Sequence, residues 1–379
     1  MNDPLLVLAA GGTGGHMFPA QAIAEEMVAS GWQVKLSTDS RGARYCENFP
    51  SDVEVLIVNS ATFSGRSIFG KLSVPLKIFY GVFQSLLWFK RNKPSCVVGF
   101  GGYPSIPAIT AALIWRIPTI LHEQNGVLGQ VNKLFAKKVD FVAYGIAPES
   151  LSSANSLYTG NPVRNSVLKF NASPYIPPGD YPINVLVIGG SQGARIMSDI
   201  VPAALSLLSE KNKKNLRVAH QARPEDKDRV IKLYSEHNID AEVSSFFDDV
   251  PRRISEAQLV ISRSGASSVA DIATIGRPSI LVPLKSARRD EQSINAESMT
   301  SINSAISFVE DDFTEEKLSK CIAKFLASPK KAEAMAIAAL TRSSENSVQM
   351  MSELIIRLVK EKKDVSRTAI KPIDKGTSQ

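Results

Sequence analysis

One sequence pattern occurs twice in the chain and restricts its fold. In each copy, an apolar run leads through clustered glycines into a helix-like segment. The copies are "LLVLAAGGTGGH" from residue 5 and "INVLVIGGSQGAR" from residue 183, about 180 residues apart in a chain of 379. A strand, a glycine loop and a helix in this order begin a doubly wound α/β unit. The chain also exceeds the length that one hydrophobic core usually organises. The repeat therefore predicts an α/β protein with two Rossmann-like domains facing a cleft.

Short apolar runs alternate with helix-length segments in both halves, which is typical of parallel sheets covered on both faces. Between the halves, residues 162–182 carry five prolines and no hydrophobic periodicity, as interdomain linkers do. We expect a first domain over residues 1–165, a linker over 166–182 and a second domain, with a C-terminal helix, over 183–360. The polar segment 361–379 has few apolar residues and is expected to be a flexible tail.

The composition indicates a reduced, cytoplasmic protein with an anionic partner. The net charge is +7 and the pI is near 9.2, which does not decide between nucleic acid, a membrane surface and a phosphorylated substrate. No charged and apolar leader precedes the first strand-like run. The three cysteines are far apart and form no CxxC pair, which argues against a disulfide framework and a zinc site.

The segment around residues 66–93 has an unusual charge pattern. No acidic residue occurs between Glu54 and Glu123, whereas seven lysines and arginines do. The mostly apolar run 78–89 is too short to span a bilayer, which needs about 20 residues. An apolar helix bordered by basic residues can lie on an anionic membrane. A packed core helix with a solvated basic end is the alternative.

Three glycine loops favour phosphate binding, because glycine lets backbone N–H groups approach an anion at the start of a helix. They occur in "GGTGGHMFP", "GFGGYPSIP" and "VIGGSQGAR", which is more than one dinucleotide requires. We therefore expect two phosphorylated ligands, one for each domain. The spacing is not G-x-G-x-x-G, but Asp39 follows the second strand where a ribose-binding acid can lie. A nicotinamide oxidoreductase thus remains an alternative.

Several polar residues follow predicted strands and are expected to line the cleft. His16 is the most informative, since it stands beside the first glycine loop and its pKa is naturally near neutrality; capping of the helix is the alternative. In "ILHEQNG", the residues from His122 to Asn125 are expected to look into the cleft. Asp271, Gln292 and Asn295 suit recognition of ribose or sugar hydroxyls.

The order of six motifs resembles that of the lipid-linked N-acetylglucosaminyltransferases of peptidoglycan synthesis, the MurG family. The motifs are "GGTGGHMFPA", "GFGGYPSIPA", "HEQNGVLGQVN", "TGNPVR", "GGSQGAR" and "SRSGASSVAD", and the likeness covers roughly residues 5–355. It implies a GT-B fold whose C-terminal helix returns to the first domain. The implied reaction is an inverting transfer of N-acetylglucosamine from UDP-N-acetylglucosamine to the 4-hydroxyl of the muramoyl sugar of undecaprenyl-diphosphate lipid I, giving lipid II.

The resemblance also implies roles for individual residues. It makes His16 or Glu123 the general base, and it assigns contacts with the substrates to Thr13, Gly14, Gly15, Asn125, Arg164, Ser191, Phe247, Asp271 and Gln292. Within this set, the backbone of Phe247 reads the uracil, and Asp271 stands where a ribose-binding glutamate is usual. Glu291 replaces the first of a glutamine pair. The Asp271 side chain is one methylene shorter than the usual glutamate.

The resemblance implies a peripheral enzyme on the cytoplasmic face of the inner membrane. Its partners would be UDP-N-acetylglucosamine, lipid I, the anionic membrane surface and proteins of division or elongation, but not nucleic acid. No cofactor is implied, and no DxD-like metal motif follows a strand. A membrane scaffold that retains a degenerate transferase fold is the non-catalytic alternative.

Overall fold

The computed structural model describes residues 3–58, 68–147, 155–190, 193–285 and 290–369. Two parallel sheets organise these residues, one in each half of the chain. The prediction of an α/β protein with two Rossmann-like domains is confirmed.

The first sheet has seven parallel strands in the order β3-β2-β1-β4-β5-β6-β7. The strands are β1 (Leu5–Ala9), β2 (Gln33–Thr38), β3 (Glu54–Ile57), β4 (Cys96–Gly99), β5 (Thr119–Glu123), β6 (Phe141–Tyr144) and β7 (Ser156–Tyr158). The helices between them are α1 (Gly14–Ala29), α2 (Ile68–Asn92), α3 (Ile106–Ile114) and α4 (Gln130–Phe135). The strand order reverses beside β1, and open α/β sheets bind ligands at such a point.

The second sheet has six parallel strands in the order β10-β9-β8-β11-β12-β13, which repeats the reversal beside β8. The strands are β8 (Ile183–Ile188), β9 (Leu216–Gln221), β10 (Asp240–Ser244), β11 (Leu259–Ser262), β12 (Ser279–Leu281) and β13 (Ala305–Ser307). The helices are α5 (Asn165–Leu168) in the linker, then α6 (Arg195–Ser206), α7 (Glu210–Asn215), α8 (Lys227–Glu236), α9 (Val250–Glu256), α10 (Ala266–Ile275), α11 (Glu291–Thr300), α12 (Glu315–Leu326), α13 (Pro329–Leu340) and α14 (Ser347–Ala369).

The last helix, α14, returns to the first domain, as the resemblance implies. Its apolar side chains, among them Met351 and Ile355, are buried with Leu6 and Leu8 of β1. The helix continues to Ala369, so the segment expected to be a flexible tail begins as helix, because "EKKD" at 361–364 consists of residues that tolerate an exposed helix. The remainder of that segment, 370–379, lies outside the described residues.

Residues 173–174, within the predicted linker, pack on the second sheet's helices around one buried arginine. Arg277 is 1% exposed, and its guanidinium donates hydrogen bonds to the five backbone carbonyls of Ser173, Pro174, Ser255, Ile275 and Gly276. These carbonyls belong to the linker and to the C-terminal ends of α9 and α10, where a positive charge is favourable. Burial lowers the pKa of Arg277 to about 10, so the side chain stays charged at neutral pH.

Over residues 75–92, helix α2 buries one face and exposes the other. Phe89 is buried against α3, whereas five large side chains are exposed on α2: Leu76, Phe79, Tyr80, Phe83 and Leu87. The indole N–H of the exposed Trp115 donates to Leu86 O (3.2 Å). We call these five residues and Trp115 the apolar patch. Within the described ranges, no helix is long and apolar enough to cross a membrane.

Candidate active site

The first glycine loop joins β1 to α1. Thr13 has extended backbone angles and occupies the N-cap position, so Gly14 and Gly15 are the first residues of the helix. The first N–H groups of a helix have no acceptor within it and carry a partial positive charge. The loop therefore offers backbone donors to an anion, as the sequence predicted.

His16 follows these glycines, and its imidazole is half-buried. Nδ1 lies 3.1 Å from Gly11 O and 3.5 Å from Thr13 Oγ1. A carbonyl oxygen only accepts, so Nδ1 carries the proton and Nε2 keeps its lone pair. Among the described residues, none makes a hydrogen bond to Nε2.

The second glycine loop of the first domain encloses this imidazole. Gly101 and Gly102 have φ angles of +87° and +76°, and a Cβ on Gly102 would lie 3.3 Å from Nδ1 of His16. A side chain there would be strained and would press on the ring. The motif "GFGGYPS" thus supports the position of His16.

Two carboxylates act on the protonation of His16. Burial lowers the pKa of His16 below its ordinary value, whereas the negative charges of Glu123 and Glu291 act in the opposite direction. Glu123 ends β5 in the first domain, and Glu291 begins α11 in the second. The net result is an imidazole that is neutral at pH 7 and able to accept a proton.

The expectation that residues 122–125 all face the cleft is wrong for the first three. His122, Glu123 and Gln124 are at most 2% exposed. Nε2 of His122 lies 3.1 Å from Gly160 O, and burial lowers the pKa of this histidine to about 4. These three side chains are buried at the end of β5, where each has a hydrogen-bond partner within the protein.

The carboxylate of Glu123 organises the loop that follows β5. Oε1 accepts from the backbone and side-chain nitrogens of Asn125, and Oε2 accepts from Gly129 N (2.7 Å) and Asn132 Nδ2 (2.8 Å). Asn132 was not singled out from the sequence, although it ends the motif "HEQNGVLGQVN". A buried carboxylate needs such donors, and a nearby amide within the same motif was the available signal.

This loop also contacts the second domain. Nδ2 of Asn295 in α11 donates to Oδ1 of Asn125 (3.0 Å), and Gly126 N donates to Oδ1 of Asn295 (3.1 Å). A Cβ on Gly126 would lie 2.3 Å from Ile294, so glycine permits the close approach. Gln292, one turn earlier, accepts from Leu284 N (3.0 Å). Asn125 thus lies at the interdomain boundary, whereas the side chain of Gln292 is held within the second domain.

Arg164, which caps the start of α5, forms an ion pair with Asp271 of α10, with Nη2 3.4 Å from Oδ2. The guanidinium also lies over the ring of Phe18 in α1, 4.0 Å from its centroid. Burial raises the pKa of Asp271 to about 6, and the charge of Arg164 opposes this rise. Arg164 therefore connects the helix that carries His16 with the second domain.

The remaining two predicted positions lie in the second domain. The ring of Phe247 is buried beneath the guanidinium of Arg253, 4.1 Å away, while the neighbouring Phe246 is exposed. Ser191, in the glycine loop after β8, lies outside the described residues.

Comparisons with known proteins identify similar chains. The pattern of the glycosyltransferase family 28 N-terminal domain matches residues 6–144, and that of the C-terminal domain of the same family matches residues 184–353. Relatives from Chelativorans sp. (strain BNC1) and Agrobacterium fabrum are 42% and 41% identical, and each alignment covers at least 92% of this chain and 94% of the relative. Both are named UDP-N-acetylglucosamine–N-acetylmuramyl-(pentapeptide) pyrophosphoryl-undecaprenol N-acetylglucosamine transferase.

A solved structure agrees with these relatives. The crystal structure of Acinetobacter baumannii MurG superposes with a TM-score of 0.75 at 28% identity, covering 93% of this chain and 99% of that one.

Proposed function

The chain belongs to glycosyltransferase family 28, and from that premise we propose that it transfers N-acetylglucosamine from UDP-N-acetylglucosamine to the 4-hydroxyl of the muramoyl sugar of lipid I, giving lipid II. The first domain takes the lipid acceptor and the second takes the nucleotide donor. The α-linked donor gives a β-linked product by one in-line displacement. Such a step needs a base for the hydroxyl and positive charge or dipoles for the departing UDP.

The observation that carries the proposal is the orientation of His16. With its Nδ1–H held by Gly11 O, the imidazole keeps its basic Nε2 beside Gly101, without a hydrogen bond to any described residue. Nε2 accepts the proton of the 4-hydroxyl as this oxygen attacks the anomeric carbon. UDP departs with the bonding electron pair, towards the glycine loop and helix start of the second domain, where Ser191 is proposed to contact the diphosphate.

Glu123 is the other candidate base, and its contacts favour a positioning role. Its two oxygens already accept hydrogen bonds from Asn125, Gly129 and Asn132. Taking a substrate proton would cost these interactions and would leave a neutral acid facing donors. We therefore assign the base to His16 and the support of the Asn125 loop to Glu123.

We propose the donor contacts from the family resemblance. Asn125, at the interdomain boundary, and Gln292, in α11, bind hydroxyls of the transferred sugar, and the backbone at Phe247 binds the uracil. Arg164 contacts the diphosphate side of the nucleotide donor. Oδ2 of Asp271 accepts from Arg164, and we propose that its other oxygen, Oδ1, contacts the ribose.

Glu291 is a test of the assignment of His16, because it acts on the imidazole from the other domain. Its negative charge favours the imidazolium, so Glu291→Gln lowers the pKa of His16 further. We expect the acidic limb of the kcat/KM profile to move to lower pH. Glu297→Gln, on the exposed side of the same helix, is the control and leaves the limb in place. An unmoved limb in Glu291→Gln would count against His16 as the base.

We propose that the apolar patch on α2 holds the enzyme peripherally on the cytoplasmic face of the membrane. The patch is bordered by exposed Lys77, Lys90, Arg91 and Arg116, which favour anionic headgroups. A lipid-linked acceptor requires such contact. Partners among division and elongation proteins remain a prediction from the family resemblance.

A double substitution tests the patch. Phe79→Ser with Phe83→Ser removes two exposed aromatic rings, and we expect binding to anionic phospholipid vesicles to weaken about tenfold or more. Turnover of a water-soluble, short-chain acceptor stays near the wild-type rate. Ile337→Ser, at a 63% exposed site on α13, is the matched control. Unchanged vesicle binding in the double variant would exclude this face.

Transfer of radiolabel from UDP-N-acetylglucosamine to a lipid I analogue separates the proposal from its alternatives. A nicotinamide oxidoreductase would bind the dinucleotide by calorimetry and leave the lipid unlabelled. A scaffold would leave the lipid unlabelled, and cell-wall synthesis would survive His16→Ala and Gln292→Ala but not deletion of the chain. Either outcome would contradict the proposal.

A further inference from the structure

Asp39 was considered as a ribose-binding acid because it follows the second strand, but in the fold it binds neighbouring residues of its own loop. It follows β2 and is only 5% exposed. Oδ1 accepts from Gly42 N (3.0 Å), and Oδ2 accepts from Nε of Arg41 (3.0 Å). Both oxygens are therefore engaged, which leaves little room for a cofactor ribose.

The partner of Asp39 stands over the first glycine loop. A Cβ on Gly12 would lie 3.8 Å from Nη2 of Arg41, and one on Gly11 would lie 3.1 Å from Oδ1 of Asp39. The side chain of Arg41 is 47% exposed, whereas that of Asp39 is 7% exposed. The ion pair thus fixes one edge of the guanidinium by Nε and leaves its outer nitrogens open above the loop.

The same loop orients the proposed base. Gly11 O holds Nδ1 of His16, and the next residue, Gly12, lies under Arg41. In the acceptor that the relatives' names specify, a pyrophosphoryl group is attached to the muramoyl sugar whose hydroxyl reacts. When that hydroxyl is at His16, the diphosphate lies one sugar ring away and needs a cation.

We infer that Arg41, positioned by Asp39, binds the diphosphate of the lipid acceptor and thereby sets the acceptor sugar against His16. The inference rests on the proposed function and adds to it a residue that recognises the acceptor. Guanidinium groups suit this task because they bind phosphate oxygens with paired N–H donors. Asp39 contributes by holding the guanidinium before binding, which reduces the loss of side-chain freedom.

Two diphosphates take part in the reaction, so the test must separate them. In Arg41→Ala, we expect the KM for a short-chain lipid I analogue to rise about 10- to 100-fold, the range for losing a hydrogen bond to a charged group. The KM for UDP-N-acetylglucosamine and vesicle binding stay within about twofold of wild type. Lys133→Ala removes an equal charge from the exposed side of α4 and is the control.

A double-variant cycle tests the positioning role of Asp39. Asp39→Asn alone raises the acceptor KM severalfold, and it has no further effect when Arg41 is already alanine. A merely structural role of Asp39 would give independent effects in the two backgrounds. Thermal melting of each variant shows that it is folded.

The outcomes are distinct. An unchanged acceptor KM in Arg41→Ala, or a rise confined to the donor KM, would overturn the inference while leaving the transferase proposal intact. Direct binding of the analogue, measured by calorimetry without donor, gives a readout that needs no turnover. Wild-type protein that binds the analogue through Arg41 but transfers no sugar would contradict the proposed function and support the Arg41 site.

Discussion

His16→Ala is expected to lower kcat about 10²- to 10⁴-fold, the usual contribution of a positioned general base. The variant loses Nε2 as proton acceptor, whereas the donor-binding groups of the second domain are untouched. The dissociation constant for UDP-N-acetylglucosamine therefore stays within about twofold of wild type. Steady-state kinetics and donor calorimetry on the same preparation measure both quantities.

The pH dependence distinguishes loss of the base from a general disturbance of the site. Activity of the wild type falls at low pH as His16 becomes an imidazolium, which gives the pH–rate profile an acidic limb. This limb disappears in His16→Ala. His237→Ala, at the exposed histidine that ends α8, is the control and retains both the rate and the fall in activity at low pH. A retained acidic limb in His16→Ala would transfer the role of base to another group.

Arg277→Met is expected to produce the largest loss of stability, about 3 kcal/mol or more of the free energy of unfolding. Methionine fills part of the space but donates no hydrogen bond. Five carbonyls around this guanidinium, which is 1% exposed, then lose their donor. Urea unfolding followed by circular dichroism measures the change.

Two further variants separate the effect of the charge of Arg277 from that of its burial. Arg277→Lys keeps the charge but cannot reach all five carbonyls, so its loss is intermediate. Arg252→Met removes an exposed arginine that pairs with Asp249 and Glu256 on the surface, and the midpoint of unfolding stays nearly unchanged. Equal midpoints for Arg277→Met and wild type would show that the buried guanidinium does not stabilise the linker.

The two sheets could be predicted because their signals are local. Continuous apolar strands and glycine loops identify each Rossmann-like unit within about 15 residues of sequence. Helix α2 was harder, since its composition suits both a buried helix and one that lies on a membrane. The choice depends on whether α3 covers one face or both, and the side chains of Phe79 and Phe83 remain exposed.

The sequence predicted which residues form the site better than it predicted which residues they contact. His16 and Asn125 follow strand ends, which sequence patterns locate. The partner of Asn125 is Asn295, 170 residues later, and that of Arg164 is Asp271, 107 residues later. No local pattern encodes such pairs, because they depend on how the two domains meet. Asp39 is a different case, since its partners Arg41 and Gly42 are local in sequence, but the strand-end pattern suggested a ribose instead.

The most direct measurement follows the anomeric carbon itself. UDP-N-acetylglucosamine labelled with carbon-13 at C1 is incubated with lipid I and the enzyme, and nuclear magnetic resonance records the configuration of the new linkage. We predict a labelled lipid II with a β-linked sugar, formed by the wild type and lost in His16→Ala. An unlabelled lipid, or a sugar that keeps the α configuration, would contradict a single displacement with His16 as the base.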